Sequence, residues 1–180
     1  TVWLVMLRLI EKHGIDREMF CRTLGIAPEV LRDVHARLPA RLADVGFELA
    51  AAQIGDEAFA LGAAECWHPS NLGTMAYAWL SSRTLHTGLK RIERFSRLLG
   101  SRIRYRCSEE SDGVRLTFDH GRGDAAIGPL LTDFSLSILI AMCRVNAGKR
   151  LCPVGVDLRR PQPANPQPWR DFFGCPIAYG

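Results

Sequence analysis

No two cysteines in this 180-residue chain stand close enough in sequence to read as a metal or redox motif. The six, at positions 21, 66, 107, 143, 152 and 175, form no C-x-x-C pair, which excludes a zinc knuckle and a thioredoxin-like centre. Four of them sit in or beside apolar runs, where a reduced cysteine behaves as a small hydrophobe. A reduced, cytoplasmic protein is therefore expected. Excess charge is lacking too: 23 basic residues against 19 acidic ones leave +4, with no Lys/Arg run of five or more. That is too mild for a segment that itself grips nucleic acid. The apolar N-terminal run TVWLVMLRLI is ten residues long, includes Arg8 and passes into Glu11 and Lys12 without a small-residue cleavage site. It reads as neither signal peptide nor membrane span. There is no internal repeat, no low-complexity stretch beyond a Pro-rich loop from Pro161 to Pro168, and no initiating methionine. Both ends are expected to be cut from a longer chain.

What is present is enough for one domain with a sizeable core, 47% of the residues being hydrophobic. The first 55 residues read as helical. One helix is expected from Val2 to Lys12, a second capped by Asp16, a third opening at Pro28 with Val30, Leu31 and Val34 inward, and a fourth after Pro39 burying Leu42, Val45, Leu49 and Ala50. From Ser101 the apolar period shortens from 3.6 to 2. Ile103, Tyr105 and Cys107 alternate with arginines, and after the Asp112-Gly113 turn Val114, Leu116 and Phe118 alternate with Arg115, Thr117 and Asp119, predicting an antiparallel hairpin. The stretch from Asp124 to Asn146 is apolar nearly all round, as in a helix buried on several sides. Strands are then expected at Val154, Val156 and Leu158 and at Ile177 to Tyr179, with a short turn from Trp169 to Phe173 between them. The fold class is α+β: a helical N-terminal portion followed by a mainly antiparallel sheet of about four strands with packed helices.

The chain is organised around SNLGTMAYAWLSSRTLHTGLKRIERFSRLLG, Ser70 to Gly100. Leu72, Met75, Ala76, Trp79 and Leu80 fall on one helical face with Ser70 as N-cap; Thr84 then caps a second helix with the stripe Leu85, Leu89, Ile92, Phe95, Leu99, ended by Gly100. Lys90, Arg91, Arg94 and Arg97 lie on its outward face. Gly55-Asp56, Leu61-Gly62, Leu72-Gly73, Tyr77, Ser82, Leu85, Leu89 and Phe95, with Phe172-Phe173-Gly174-Cys175-Pro176-Ile177 near the end, resemble the arabinose-binding-type N-terminal domain of a branch of AraC-family transcriptional regulators. The resemblance covers nearly all 180 residues and departs at Gly88, where that family usually has alanine. It implies a single effector-sensing and dimerisation domain over residues 1–180 of a bacterial regulator. It also implies a C-terminal helix-turn-helix domain beyond residue 180, a homodimer, and contact with DNA only through that missing domain.

Catalytic constellations fail on inspection. Cys66-Trp67-His68 offers a thiol and an imidazole without further ligands at useful spacing, Glu109-Glu110 falls in a turn, and Gly121-Arg122-Gly123 is too short to cradle phosphate. No catalytic residue, metal or cofactor is assigned, and no membrane partner. A pocket needs only apolar walls and a few polar groups, and the seam between the central helices and the sheet provides candidates: Trp67, His68, Asn71, Tyr77 and Tyr105. The resemblance implies that its occupant is a small-molecule effector of unknown identity. The competing readings are a haem-type or other stand-alone sensor and a Cys-His enzyme.

Overall fold

The computed structural model describes residues 2–27, 29–30 and 38–180. The third helix expected from Pro28 falls mostly on residues outside these, Leu31 and Val34 among them. Helix α1 (Val2–Lys12) is followed by α2 (Arg17–Thr23), whose N-cap Asp16 accepts a hydrogen bond from the Met19 N–H at 2.6 Å. Helix α3 (Ala40–Ile54) opens after Pro39 and stops at Gly55 in the left-handed region. It buries Gly46, Phe47 and Ala50, while Val45, expected inward, is exposed. A 3-10 turn (Phe59–Gly62), α4 (Ala63–Cys66), a second 3-10 turn (Pro69–Leu72), α5 (Thr74–Leu80) and α6 (Leu85–Phe95) complete the helical portion. Thr84 caps α6 as its sequence predicts, accepting from the Thr87 N–H at 3.1 Å. The helix ends at Phe95, though, and a 3-10 turn (Ser96–Leu98) carries the chain on before Gly100.

The expected four-stranded sheet is two separate sheets. Strands β1 (Arg104–Glu110) and β2 (Gly113–Asp119) form the predicted antiparallel hairpin, pairing Tyr105 with Phe118 and Cys107 with Leu116. Strands β3 (Val156–Leu158) and β4 (Ile177–Tyr179) pair in parallel, because α8 (Gln167–Phe173) lies between them and returns the chain in the same direction. Val154, read as strand, is 85% exposed and precedes β3. The two sheets meet through the Arg115–Asp157 ion pair at 2.8 Å rather than through backbone hydrogen bonds.

Helix α7 (Gly128–Ala147) is the axis of the fold. Pro129 fits its first turn, where a missing N–H costs nothing. That places its start four residues after the sequence expectation at Asp124. Among the described residues it is the one helix long and apolar enough to cross a membrane by length and composition. Half of its apolar stretch is buried inside the protein. Phe134, Ile138, Leu139, Met142 and Cys143 join the main core, and Ile140 joins a smaller one with Leu158, Trp169 and Phe173. The α5–α6 pair packs on α7 through Trp79, whose indole N–H donates to the Met142 carbonyl at 3.2 Å.

The outward basic face of α6 is partly turned to structural use. Lys90 Nζ donates to the Cys107 carbonyl at 2.8 Å, fastening the hairpin, and Arg91 donates to the Ser82 hydroxyl at 2.9 Å and to the Ala78 carbonyl, fastening α5. Arg94 and Arg97 remain exposed, as expected.

Candidate functional site

The turn between α4 and α5 is held by its own side chains. His68, not Ser70, is the cap: its Nδ1 accepts from the Ser70 N–H at 3.2 Å, and Asn71 Oδ1 reaches back to accept from the His68 N–H at 2.9 Å. Such a reciprocal pair satisfies two backbone donors that a helix start leaves unpaired. Arg8 of α1 donates from Nη1 to the same Asn71 oxygen and to the Cys66 carbonyl, each at 3.2 Å. Gly73 then takes φ 57°, ψ −135°, a conformation closed to residues with a Cβ, and redirects the chain into α5. Asn71 is thereby fixed, only 8% exposed, facing the interior.

Beside this turn lies a cavity between α7, α6, β1 and α1. One wall is Val5 together with Trp67, Asn71 and Leu72; the α5–α6 side adds Met75, Ile92 and Leu99. Ile103 and Tyr105 close it from the hairpin side, and Phe134, Ser135, Ile138, Leu139 and Met142 of α7 form the floor. It encloses about 40 Å³ of water-accessible space, room for a few water molecules in this conformation. Burial pushes the Tyr105 phenol up from its ordinary value, a Ser135 hydrogen bond pulling the other way. Tyr105 is accordingly a neutral hydroxyl.

Three of the five residues singled out from sequence line this space: Trp67, Asn71 and Tyr105. His68 is exposed and holds the turn, with its Nδ1 also 2.8 Å from the Ser70 hydroxyl. Tyr77 is 78% exposed, because α5 turns Met75, Ala76 and Trp79 inward and the intervening residues outward. The α7 floor is absent from the sequence-based set. The signal for it was Ser135 and Ser137, two hydroxyls inside an otherwise apolar run. Ser135 lines the cavity, and Ser137 donates to the Ala60 carbonyl at 3.3 Å. As for Cys66, burial pushes its thiol up, opposed by Lys12 and Arg8; a nucleophile needs the opposite shift.

On another face of α7, Asp133 is completely buried, and its Oδ2 accepts from Arg160 Nη1 at 2.9 Å. Arg160 also pairs with Glu57 and stacks its guanidinium 5.1 Å from the Trp169 ring centre. The Asp133 Oδ1, Arg160 Nε, Trp169 Nε1 and Tyr179 hydroxyl atoms are buried here without hydrogen-bond partners among the described residues. Burial raises the Asp133 carboxyl to about 6, desolvation outweighing the pull of Arg160. This cluster ties the β3–α8–β4 unit to the helix that floors the cavity.

No curated protein matches the chain. Residues 14–180 match the family model described as the arabinose-binding domain of AraC transcription regulators, N-terminal, which is a family of ligand-sensing regulatory domains and not of enzymes. On that match, which begins after α1 and takes in the rest of the helical portion, the cavity lining other than Val5 and the C-terminal unit, the chain belongs to the arabinose-binding N-terminal domain family of AraC transcription regulators.

Proposed function

We propose that this domain senses a small-molecule effector in the cavity floored by α7, dimerises, and controls DNA binding by a helix-turn-helix domain that follows residue 180 in a cytoplasmic bacterial regulator. The observation that carries the reading is the cavity, walled by α1, α5, α6, β1 and α7 together. A molecule larger than a few waters would have to widen the cavity by moving these elements or their side chains. Its binding therefore differs between a closed and an opened state, which is what an effector requires in order to switch anything. Trp67, Asn71, Tyr105 and Ser135 are the groups proposed to orient it. Asp133–Arg160, on another face of the same helix, would relay a movement of α7 to the C-terminal unit.

A thermal-shift screen tests the site. An effector at about 100 times its Kd adds roughly 2.7 kcal/mol to stability. That gain should vanish in Ile138→Trp, which fills the cavity, and persist in Tyr77→Ala, which changes only the outer face. A gain that survives Ile138→Trp places the effector elsewhere.

Dimerisation has its own measurement. Regulators that read paired half-sites carry matching two-fold symmetry, so light scattering at micromolar concentration should give about twice the 20.0 kDa chain mass. A monomer at that concentration counts against the dimer.

A further inference from the structure

Taking the cavity as the effector site, as above, we propose that its occupant is an uncharged, largely apolar molecule carrying a carbonyl or ether oxygen, and that the Trp67 indole N–H receives that oxygen. The walls set the charge. No lining side chain is ionised at neutral pH, since Tyr105 stays a neutral phenol. Arg8, which reaches Asn71, donates to two neutral oxygens there. A carboxylate or ammonium group inside the cavity would be stripped of water with no counter-charge on the wall.

Hydrocarbon sets the polarity. Ten of the fourteen lining side chains are aliphatic, thioether or phenyl. A sugar would press most of its hydroxyls against them, each hydroxyl losing water without a partner.

Hydrogen bonding sets the oxygen. Asn71 Oδ1 already accepts from Arg8 and from the His68 backbone, and the Ser135 hydroxyl stands beside the Tyr105 phenol. Trp67 Nε1 is buried with no partner among the described residues. An indole N–H only donates, so what this ring of the wall lacks is an acceptor, which reaches the buried nitrogen once the cavity widens around an occupant.

Four probes of similar size separate the possibilities: 4-phenylbutan-2-one, n-butylbenzene, 4-phenylbutyrate and L-arabinose, each titrated by thermal shift and intrinsic fluorescence. The ketone should bind roughly five-fold tighter than butylbenzene, the factor one net hydrogen bond gives, while phenylbutyrate and arabinose produce no shift. In Trp67→Phe, which keeps a ring and removes the N–H, the ketone should fall to the butylbenzene affinity; unchanged butylbenzene binding shows that the cavity is intact. Tightest binding by phenylbutyrate or arabinose overturns the ligand chemistry while leaving the cavity as a ligand site. A ketone preference that is absent from the wild type, or that survives Trp67→Phe, overturns the role of the indole. If none of the four binds, the placement of the effector site falls together with this inference.

Discussion

Replacing Asp133 with alanine should cost about 3–5 kcal/mol of folding stability, the range seen when one partner of a buried ion pair is removed. The Arg160 guanidinium, 9% exposed, would keep Glu57 and the Trp169 face but lose its buried partner. Urea unfolding at pH 7.5 measures the effect, and a loss below about 1 kcal/mol would mean that water reaches the site. The same carboxyl gives an unusual pH dependence. Its folded value of about 6 lies above the ordinary 3.8, so folding takes up a proton between those values. The associated stability is fully present below the unfolded pKa and is lost as pH rises through about 6. Between pH 7.5 and pH 5 the wild type should therefore gain about 1 kcal/mol relative to Asp133→Asn, which has no proton to bind. A wild type that instead loses stability against Asp133→Asn over that interval would show that Arg160 outweighs burial.

Trp79→Ala should be comparably damaging, at about 3–5 kcal/mol. The ring is 1% exposed, its N–H is bound to Met142, and its carbonyl accepts from Asn146 Nδ2 at 3.1 Å. It joins α5, α6 and α7 at one point. On α6 the ring lies against Gly88, where a Cβ would stand 2.8 Å from Trp79 Cζ3. Helix propensity alone makes Gly88→Ala favourable by roughly 1 kcal/mol. With the indole pinned by its hydrogen bond, overpacking should win, and the variant should lose about 1–3 kcal/mol. Chemical denaturation of both variants checks the pair; a stabilised Gly88→Ala would show that the ring is free to move.

Gly88 also shows where sequence reading stopped. As a departure from its family's alanine it looks like a weak point in a helix, because local propensity is all that the sequence displays there. The reason for glycine is a tryptophan nine residues earlier on another helix. Elements whose signal is local were legible: the Asp16 and Thr84 caps, the hairpin around Gly113, and the all-round apolar run of α7. Sheet assembly was not legible. Three-residue strands such as β3 and β4 carry no alternation long enough to declare a partner, and their parallel pairing depends on how α8 returns the chain. In the cavity, Trp67, Asn71 and Tyr105 stood out because their chemistry is visible in the residue type. Tyr77 did so too, yet α5 begins only after the break at Gly73, which sets the helix phase that turns it outward. Ile138 and Met142 were visible as core and invisible as lining, since the two roles use the same residue types.

The central position of α7 has a price in the order of synthesis. Ser137 bonds to Ala60 and Trp79 to Met142, partners 77 and 63 residues apart, so the helical portion is made well before the helix it packs on. At ribosomal rates of roughly 5–20 residues per second, the inward faces of α3 and α5, with Phe47 and Trp79, wait several seconds in the growing chain without Phe134 and Met142 of α7. A nascent polypeptide that has not yet reached Gly128 should therefore expose apolar surface that only the later helix covers.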